Sequence, residues 1–174
     1  VVYAAEEEER REAWAQALFQ RRGRKGLTLS EARWNLYKPV YFAACMVNEG
    51  EADALVAGIE ANYAEILRPA LQVVGVAEGI RRVSGLYMMA FRDRGLLFLA
   101  DTTVNIDPDP QTLADIALQT AAFAREVGVE PRVAMVSFSN FGSAPHEESR
   151  KMAEAVARVR EADPELEIDG EDRK

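Results

Sequence analysis

Very little in this sequence is equipped for covalent or metal chemistry. Its 174 residues include one cysteine, Cys45, and one histidine, His146. A single cysteine excludes an internal disulfide framework and fits a reducing compartment, so a cytoplasmic location is expected. Cys45 lies in the apolar run Tyr41–Val47, where it reads as a small buried residue. A lone histidine without thiolate or carboxylate partners at ligand spacing makes no metal site. His146, at the start of the last helix, is expected to cap or lie at the surface, and no metal is expected. No stretch is long and apolar enough to span a bilayer as a helix, and no secretory signal is visible, so no membrane partner is expected. Lys and Arg number 21 against 29 Asp and Glu, a net charge of −8. The excess positive potential that a general nucleic-acid binder needs is therefore missing, although one local basic pocket for an anionic ligand remains compatible. There is no G-x-G-x-x-G fingerprint, no Walker A loop and no nucleophile elbow. The chain starts with Val rather than Met and is expected to be a trimmed piece of a longer protein.

What is present is organised around two apolar runs and the helix between them. Leu96–Ala100 is continuously apolar, as a strand buried on both faces would be. Asp109 is placed to cap a helix whose first residue is Pro110, where a missing N–H is harmless. Leu113, Ile116, Ala117, Thr120, Ala124 and Val127 then recur at helical spacing, and Gly128 sits where a left-handed cap is wanted. Pro131 precedes a second apolar run, Val133–Phe138. A strand–helix–strand unit of this kind crosses over right-handedly in an open sheet. Arg92–Gly95 reads as a hairpin turn, so the run Ile80–Phe91 is expected to lie antiparallel to Leu96–Ala100. The fold class is therefore α/β, three layers with a mixed, mostly parallel sheet.

The N-terminal part reads as helical. Glu6–Arg22 is expected to be a helix with a solvated charged face, followed by the basic turn Arg21–Gly26. Thr28-Leu-Ser-Glu31 matches a capping box, and a third helix runs over Val40–Glu49. Asp53–Ala57 is expected to be a short buried strand. In Ile66–Val74, Pro69 either kinks a helix or begins its regular part. In the second case Arg68 stands beside a helix N-terminus, where main-chain N–H groups and a guanidinium favour an anion; the other reading is a surface ion pair with Glu65. A last helix starts near Pro145, with Met152, Ala155, Val156 and Val159 inward, and Leu166–Gly170 begins a further strand. Ligands of open α/β sheets bind beyond the carboxyl ends of strands. That points to the loops Asp101–Asn105 and Ser137–Ser143, where hydroxyls, an amide and Gly142 precede a helix N-terminus and suit a phosphate. Asp101 could orient a ligand or carry a buried hydrogen bond.

Several of these stretches resemble the phosphate acetyl/butyryltransferase family: Asp101–Pro108, Arg132–Ser143, Gly50–Gly58, Leu67–Gln72 and Arg24–Thr28. The motifs fall in the family's order over nearly the whole chain. Members transfer an acyl group between coenzyme A and phosphate, and their fold is a pair of α/β domains around a cleft. The resemblance implies that residues 1–58 end the first domain and 59–174 form a second-domain core. Transferases usually read Asp-Cys and Asn-Pro-Asn-Pro where this chain has Asp101-Thr102 and Asn105-Ile-Asp-Pro108, and often Ser-Thr-Lys-Gly-Ser where it has Ser139-Asn-Phe-Gly-Ser143. These forms are similar to the domain fused to bacterial NADP-dependent malic enzymes, where it is regarded as regulatory with acetyl-CoA as effector. Carried over by position, Arg22 and Arg68 match arginines that hold phosphate or the CoA substrate, with Arg21 beside Arg22 leaving that alignment less secure. Ser139, Asn140, Gly142 and Ser143 match the loop lining the cleft. No catalytic residue is assigned, because the family's Ser-Arg and Asp near its C-terminal end have no counterpart here. The expected ligand is acetyl-CoA, while NADP and a divalent metal would belong to a malic-enzyme parent. A phosphate acetyltransferase proper is the alternative. A second is an oligomerisation module, with Leu86, Met88 and Phe98 facing a partner in a dimer or larger assembly.

Overall fold

A computed structural model describes residues 8–139 and 146–170. The chain divides into two compact units, Val1–Gly79 and Ile80–Lys174. The division follows Gly79, where the family reading places it after Gly58. Residues 63–73 stay with the first unit because Val73 is buried in its core.

The first unit is helical. Helix α1 spans Glu8–Arg22 and runs into a single 3-10 turn, Gly23–Lys25; α2 is Leu29–Asn35, α3 Pro39–Asn48 and α4 Tyr63–Val73. The capping box forms as expected: Thr28 N donates to Glu31 Oε2 at 2.8 Å, and Glu31 N donates to Thr28 Oγ1 at 3.2 Å. The core gathers Trp14, Leu18, Leu36, Phe42 and Val73, with Cys45 buried among them and the Trp14 and Phe42 rings 4.9 Å apart. Burial pushes the Cys45 thiol up to about 11, a tendency Glu49 adds to and Arg21 opposes, so at neutral pH it is an inert packing residue.

Three expectations for this unit change. The charged face of α1 is not wholly solvated: Arg11 is buried, its guanidinium 4.3 Å over the Tyr37 ring, and its Nε and Nη2 find no acceptor among the described residues. Glu6 and Glu7 lie outside those residues. Asp53–Ala57 is not a strand. No ladder forms there, and Val56 is 96% exposed, because local apolarity without a neighbouring strand leaves the backbone nothing to pair with. Helix α4 starts well before Pro69: the Asn62 side chain accepts from Glu65 N at 3.1 Å and caps it, which places Pro69 inside the helix and Arg68 in its middle rather than at an N-terminus.

The second unit contains β1 Leu86–Phe91, β2 Gly95–Ala100, α5 Pro110–Glu126, β3 Arg132–Ala134, α6 Glu147–Ala162 and β4 Glu167–Asp169. β1 and β2 form the expected hairpin, antiparallel from Leu86↔Ala100 to Phe91↔Gly95. β3 and β4 pair in parallel, Val133 opposite Ile168. Helix α5 begins as read, with Asp109 Oδ1 accepting from Thr112 N at 2.7 Å and Pro110 next, and Gly128 takes φ +80° past its end. One face of α5 packs Ala114, Ala117 and Ala121 against Val156 and Val159 of α6 and Ile168 of β4. The hairpin is tied to α5 by Phe98 edge-on to Phe123 at 6.2 Å, and the segment leading into it by Arg81–Asp115 at 2.6 Å. The crossover unit differs from expectation in one respect. β2 and β3 do not hydrogen-bond to each other among the described residues but belong to separate two-stranded ladders. β2 is accordingly not buried on both faces; every residue in it except Phe98 is exposed.

Leu36 is fully enclosed. Leu36→Ala is expected to destabilise the protein by about 2–5 kcal/mol, read as a lower urea midpoint at unchanged slope.

Candidate functional site

Arginines first decide where an anion could sit in the helical unit. Arg21 and Arg22 are adjacent, so helix geometry turns their side chains about 100° apart on α1. Arg21 is committed to structure: its Nη1 donates to the carbonyl oxygen of Val73, at the end of α4, and to Asn48 Oδ1 at 3.3 Å. A cation there also suits the negative end of α4. Arg22, half-buried, points elsewhere. Its charge and that of Arg68 both act on Tyr41, a buried residue whose hydroxyl donates to Gln72 Oε1 at 2.6 Å. Burial pushes the Tyr41 phenol above its ordinary value, and Arg68 and then Arg22 pull it back. Among the described residues neither arginine has an ion-pair or hydrogen-bond partner, and the pair Arg68–Glu65 is not formed. Both charges therefore act on the same phenol, and neither guanidinium is ion-paired among the described residues. Of the two adjacent arginines, Arg21 is the one engaged by Val73 and Asn48. Tyr41 and Gln72 carry no local sequence signal for their contact, since they meet only through packing of α3 on α4.

In the second unit the two strand-end loops differ. Asp101 organises its own loop. Its Oδ1 accepts from Gly85 N at 2.9 Å, Val104 N at 3.1 Å and Thr103 N at 3.2 Å. Its Oδ2 accepts from Asn105 N at 2.8 Å and Asn105 Nδ2 at 2.5 Å, and Asn105 Nδ2 also donates to Val83 O at 3.1 Å. This carboxylate carries the hydrogen-bonding role that the sequence left open beside ligand orientation. Desolvation raises its pKa, but the bonds from Asn105, Gly85 and Thr103 together hold it below the ordinary carboxylate value. Gly85 is required by the same knot. A Cβ there would lie 2.6 Å from Thr103 Oγ1 and 3.0 Å from Asp101 Oδ1. Nothing near Gly85 in sequence announces this, because its partners come from beyond the hairpin.

Ser139 is buried, and its N–H donates to Ser137 Oγ at 3.1 Å while Ser137 Oγ donates back to the Ser139 carbonyl at 3.3 Å. Asn140, Gly142 and Ser143 lie outside the described residues. His146 caps α6 as expected: its Nδ1 accepts from Glu148 N at 3.3 Å and its N–H donates to Ser149 Oγ at 3.0 Å. Among the described residues no three His, Cys, Asp or Glu side chains cluster as metal ligands, and no helix is long and apolar enough to cross a membrane. Of the seven residues named from the sequence, Arg22 and Arg68 lie in the first unit and the charges of both act on Tyr41, and Asp101 and Ser139 lie in separate loops of the second.

An α/β chain with these strand-end loops has the make-up of a phosphotransacetylase-like domain. The comparison with known families makes that specific: residues 1–173 match the phosphate acetyl/butaryl transferase family, and the chain belongs to it. It is 44% identical over 156 residues to the phosphate acetyltransferase of Bacillus subtilis (strain 168), covering 90% of this chain and 48% of that protein. It is 40% identical over 162 residues to the NADP-dependent malic enzyme of Escherichia coli (strain K12), covering 92% of this chain and 21% of that one. A phosphotransacetylase crystal structure from Streptococcus pyogenes superposes with a TM-score of 0.82 at 34% identity, over 94% of this chain and 50% of its own. The chain thus spans about half the length of the phosphate acetyltransferase from Bacillus subtilis.

Asp101→Ala is expected to destabilise the second unit by about 1.5–3 kcal/mol, the scale of hydrogen bonds to a charged group. Because the folded carboxyl titrates below its unfolded value, the stabilisation from Asp101 is complete above the unfolded pKa, about 3.9, and is lost as pH falls through the folded one. In thermal melts of wild type and variant from pH 6 downward, the gap between the two should be constant at first and narrow only on the acid side of the unfolded value. Gly85→Ala should destabilise as well, and Thr103→Ala in the same chain should recover part of the loss; no recovery would mean the glycine is needed for another reason.

Proposed function

We propose that this chain is an acyl-CoA-responsive phosphotransacetylase-like domain, and that Arg22 and Arg68 hold the phosphate-bearing part of its ligand. What supports the reading is that the charges of Arg68 and Arg22 both act on buried Tyr41, while neither guanidinium is ion-paired among the described residues. Bidentate N–H donors of fixed charge suit phosphate or the phosphates of coenzyme A. Ser139, Asn140, Gly142 and Ser143 enter the proposal from the family resemblance, as further ligand contacts. Within that reading the ligand acts as effector of a malic enzyme, to which the NADP and divalent metal belong. Acetyl-CoA would work by binding one state of the assembly more tightly than another. The forms Asp101-Thr102 and Ser139-Asn-Phe-Gly-Ser143, in place of the transferase wording, support this choice. A second reading, transfer of acetyl between CoA and phosphate, is favoured by the 44% identity to the Bacillus subtilis phosphate acetyltransferase.

Calorimetric titration of acetyl-CoA, and separately of inorganic phosphate, should show saturable binding. Arg68→Ala and Arg22→Ala should each weaken it tenfold or more, and Arg21→Ala should lower the melting temperature while leaving affinity within about twofold. Equal affinity in all four proteins would end the assignment. Acetyl phosphate formation from acetyl-CoA and phosphate would select transfer over effector binding.

A further inference from the structure

Helix α4 sets Arg68 and Gln72 four residues apart, so their side chains leave the same face one turn from each other. Gln72 is half-buried, and its Oε1 accepts from the Tyr41 hydroxyl at 2.6 Å. That bond uses one end of the carboxamide. The other end, Nε2, carries two N–H donors that meet no acceptor among the described residues. These donors still reach solvent, because the enclosed side-chain nitrogens and oxygens left without a partner there belong to Arg11 alone. Tyr41 is buried, so its hydroxyl stands still and fixes which way the amide faces.

A tie between α3 and α4 does not need an amide. Tyr41 requires only an acceptor, and a glutamate at position 72 would supply one. A glutamate would also pair with Arg68 across one helical turn. The chain instead has an uncharged side chain there. Arg68 is left without an ion pair among the described residues, and two further N–H donors stand one turn along from it. Unused donors next to an unneutralised guanidinium are matched by an oxyanion, which accepts from both. We infer that Gln72 is a further ligand-binding residue, whose Nε2 donates to an oxygen of the phosphate held by Arg68, and that Tyr41 is the positioning residue that aims the amide. The inference rests on the reading that Arg68 holds phosphate.

Calorimetric titration of inorganic phosphate into the 174-residue chain and into Gln72→Met, Tyr41→Phe and Arg68→Ala tests it. Gln72→Met and Tyr41→Phe both break the bond between α3 and α4, so their melting temperatures should fall alike. Phosphate affinity should separate them. Gln72→Met removes both donors without adding charge and should weaken binding about tenfold, the scale of a hydrogen bond to a charged group. Tyr41→Phe keeps the donors and only frees the amide to turn, so it should weaken binding about threefold. Equal losses in these two variants would mean that Gln72 serves only to tie the helices, and that overturns the inference. Affinity within about twofold of wild type in Gln72→Met overturns it too. Arg68→Ala distinguishes this failure from failure of the arginine reading. Weakened binding in Arg68→Ala with Gln72→Met unchanged removes Gln72 alone. Unchanged binding in Arg68→Ala, or no saturable phosphate binding by wild type, overturns both.

Discussion

The first unit sets the charges of Arg22 and Arg68 on one buried phenol, Tyr41, and neither arginine is ion-paired among the described residues. The arrangement persists because other contacts hold the helices that carry it. Arg21 ties the end of α1 to the last carbonyl of α4, Tyr41 ties α3 to α4 through Gln72, and Trp14, Phe42 and Val73 fill the space between them. Packing energy of this kind, about 1.5–3 kcal/mol for each fully buried large side chain, fixes the helices from which the two arginines project. In the function proposed above, a frame held by such packing would present both arginines to an oxyanion without having to assemble them.

The second unit uses its charge differently. Asp101 is surrounded by donors from its own loop and from Gly85, so the end of β2 is knotted to the entry of β1. A carboxylate with five N–H donors is a structural element first. It fixes where the 101–105 loop leaves the strand, which is the geometric requirement for any ligand contact made by that loop.

Local chemistry was legible wherever the partners were close in sequence. The Asp109–Pro110 start and Gly128 end of α5, the Thr28–Glu31 box, the Arg92–Gly95 hairpin and the capping by His146 all follow from neighbours within four residues. Where the deciding partner was distant, the reading failed or stayed open. Asn62 outcompeted Pro69 as the start of α4, Arg11 was drawn under Tyr37, and the need for Gly85 came from Thr103. The engagement of Arg21 came from Asn48 and Val73, both far from it in sequence. The two runs read as buried strands, Asp53–Ala57 and Leu96–Ala100, share one cause: apolar composition reports what a segment needs as a neighbour, and pairing depends on whether that neighbour is at hand.

The family assignment and the arginine pair meet in a single claim, that Arg22 and Arg68 form one anion site around Tyr41. Nitrogen-15 NMR of the arginine Nε groups during titration with inorganic phosphate addresses it most directly. Arg22 and Arg68 should shift together along one saturable curve, with the Tyr41 ring following and Arg21 still. Independent, non-saturating shifts spread over Arg22, Arg24 and Arg68 alike would contradict the account.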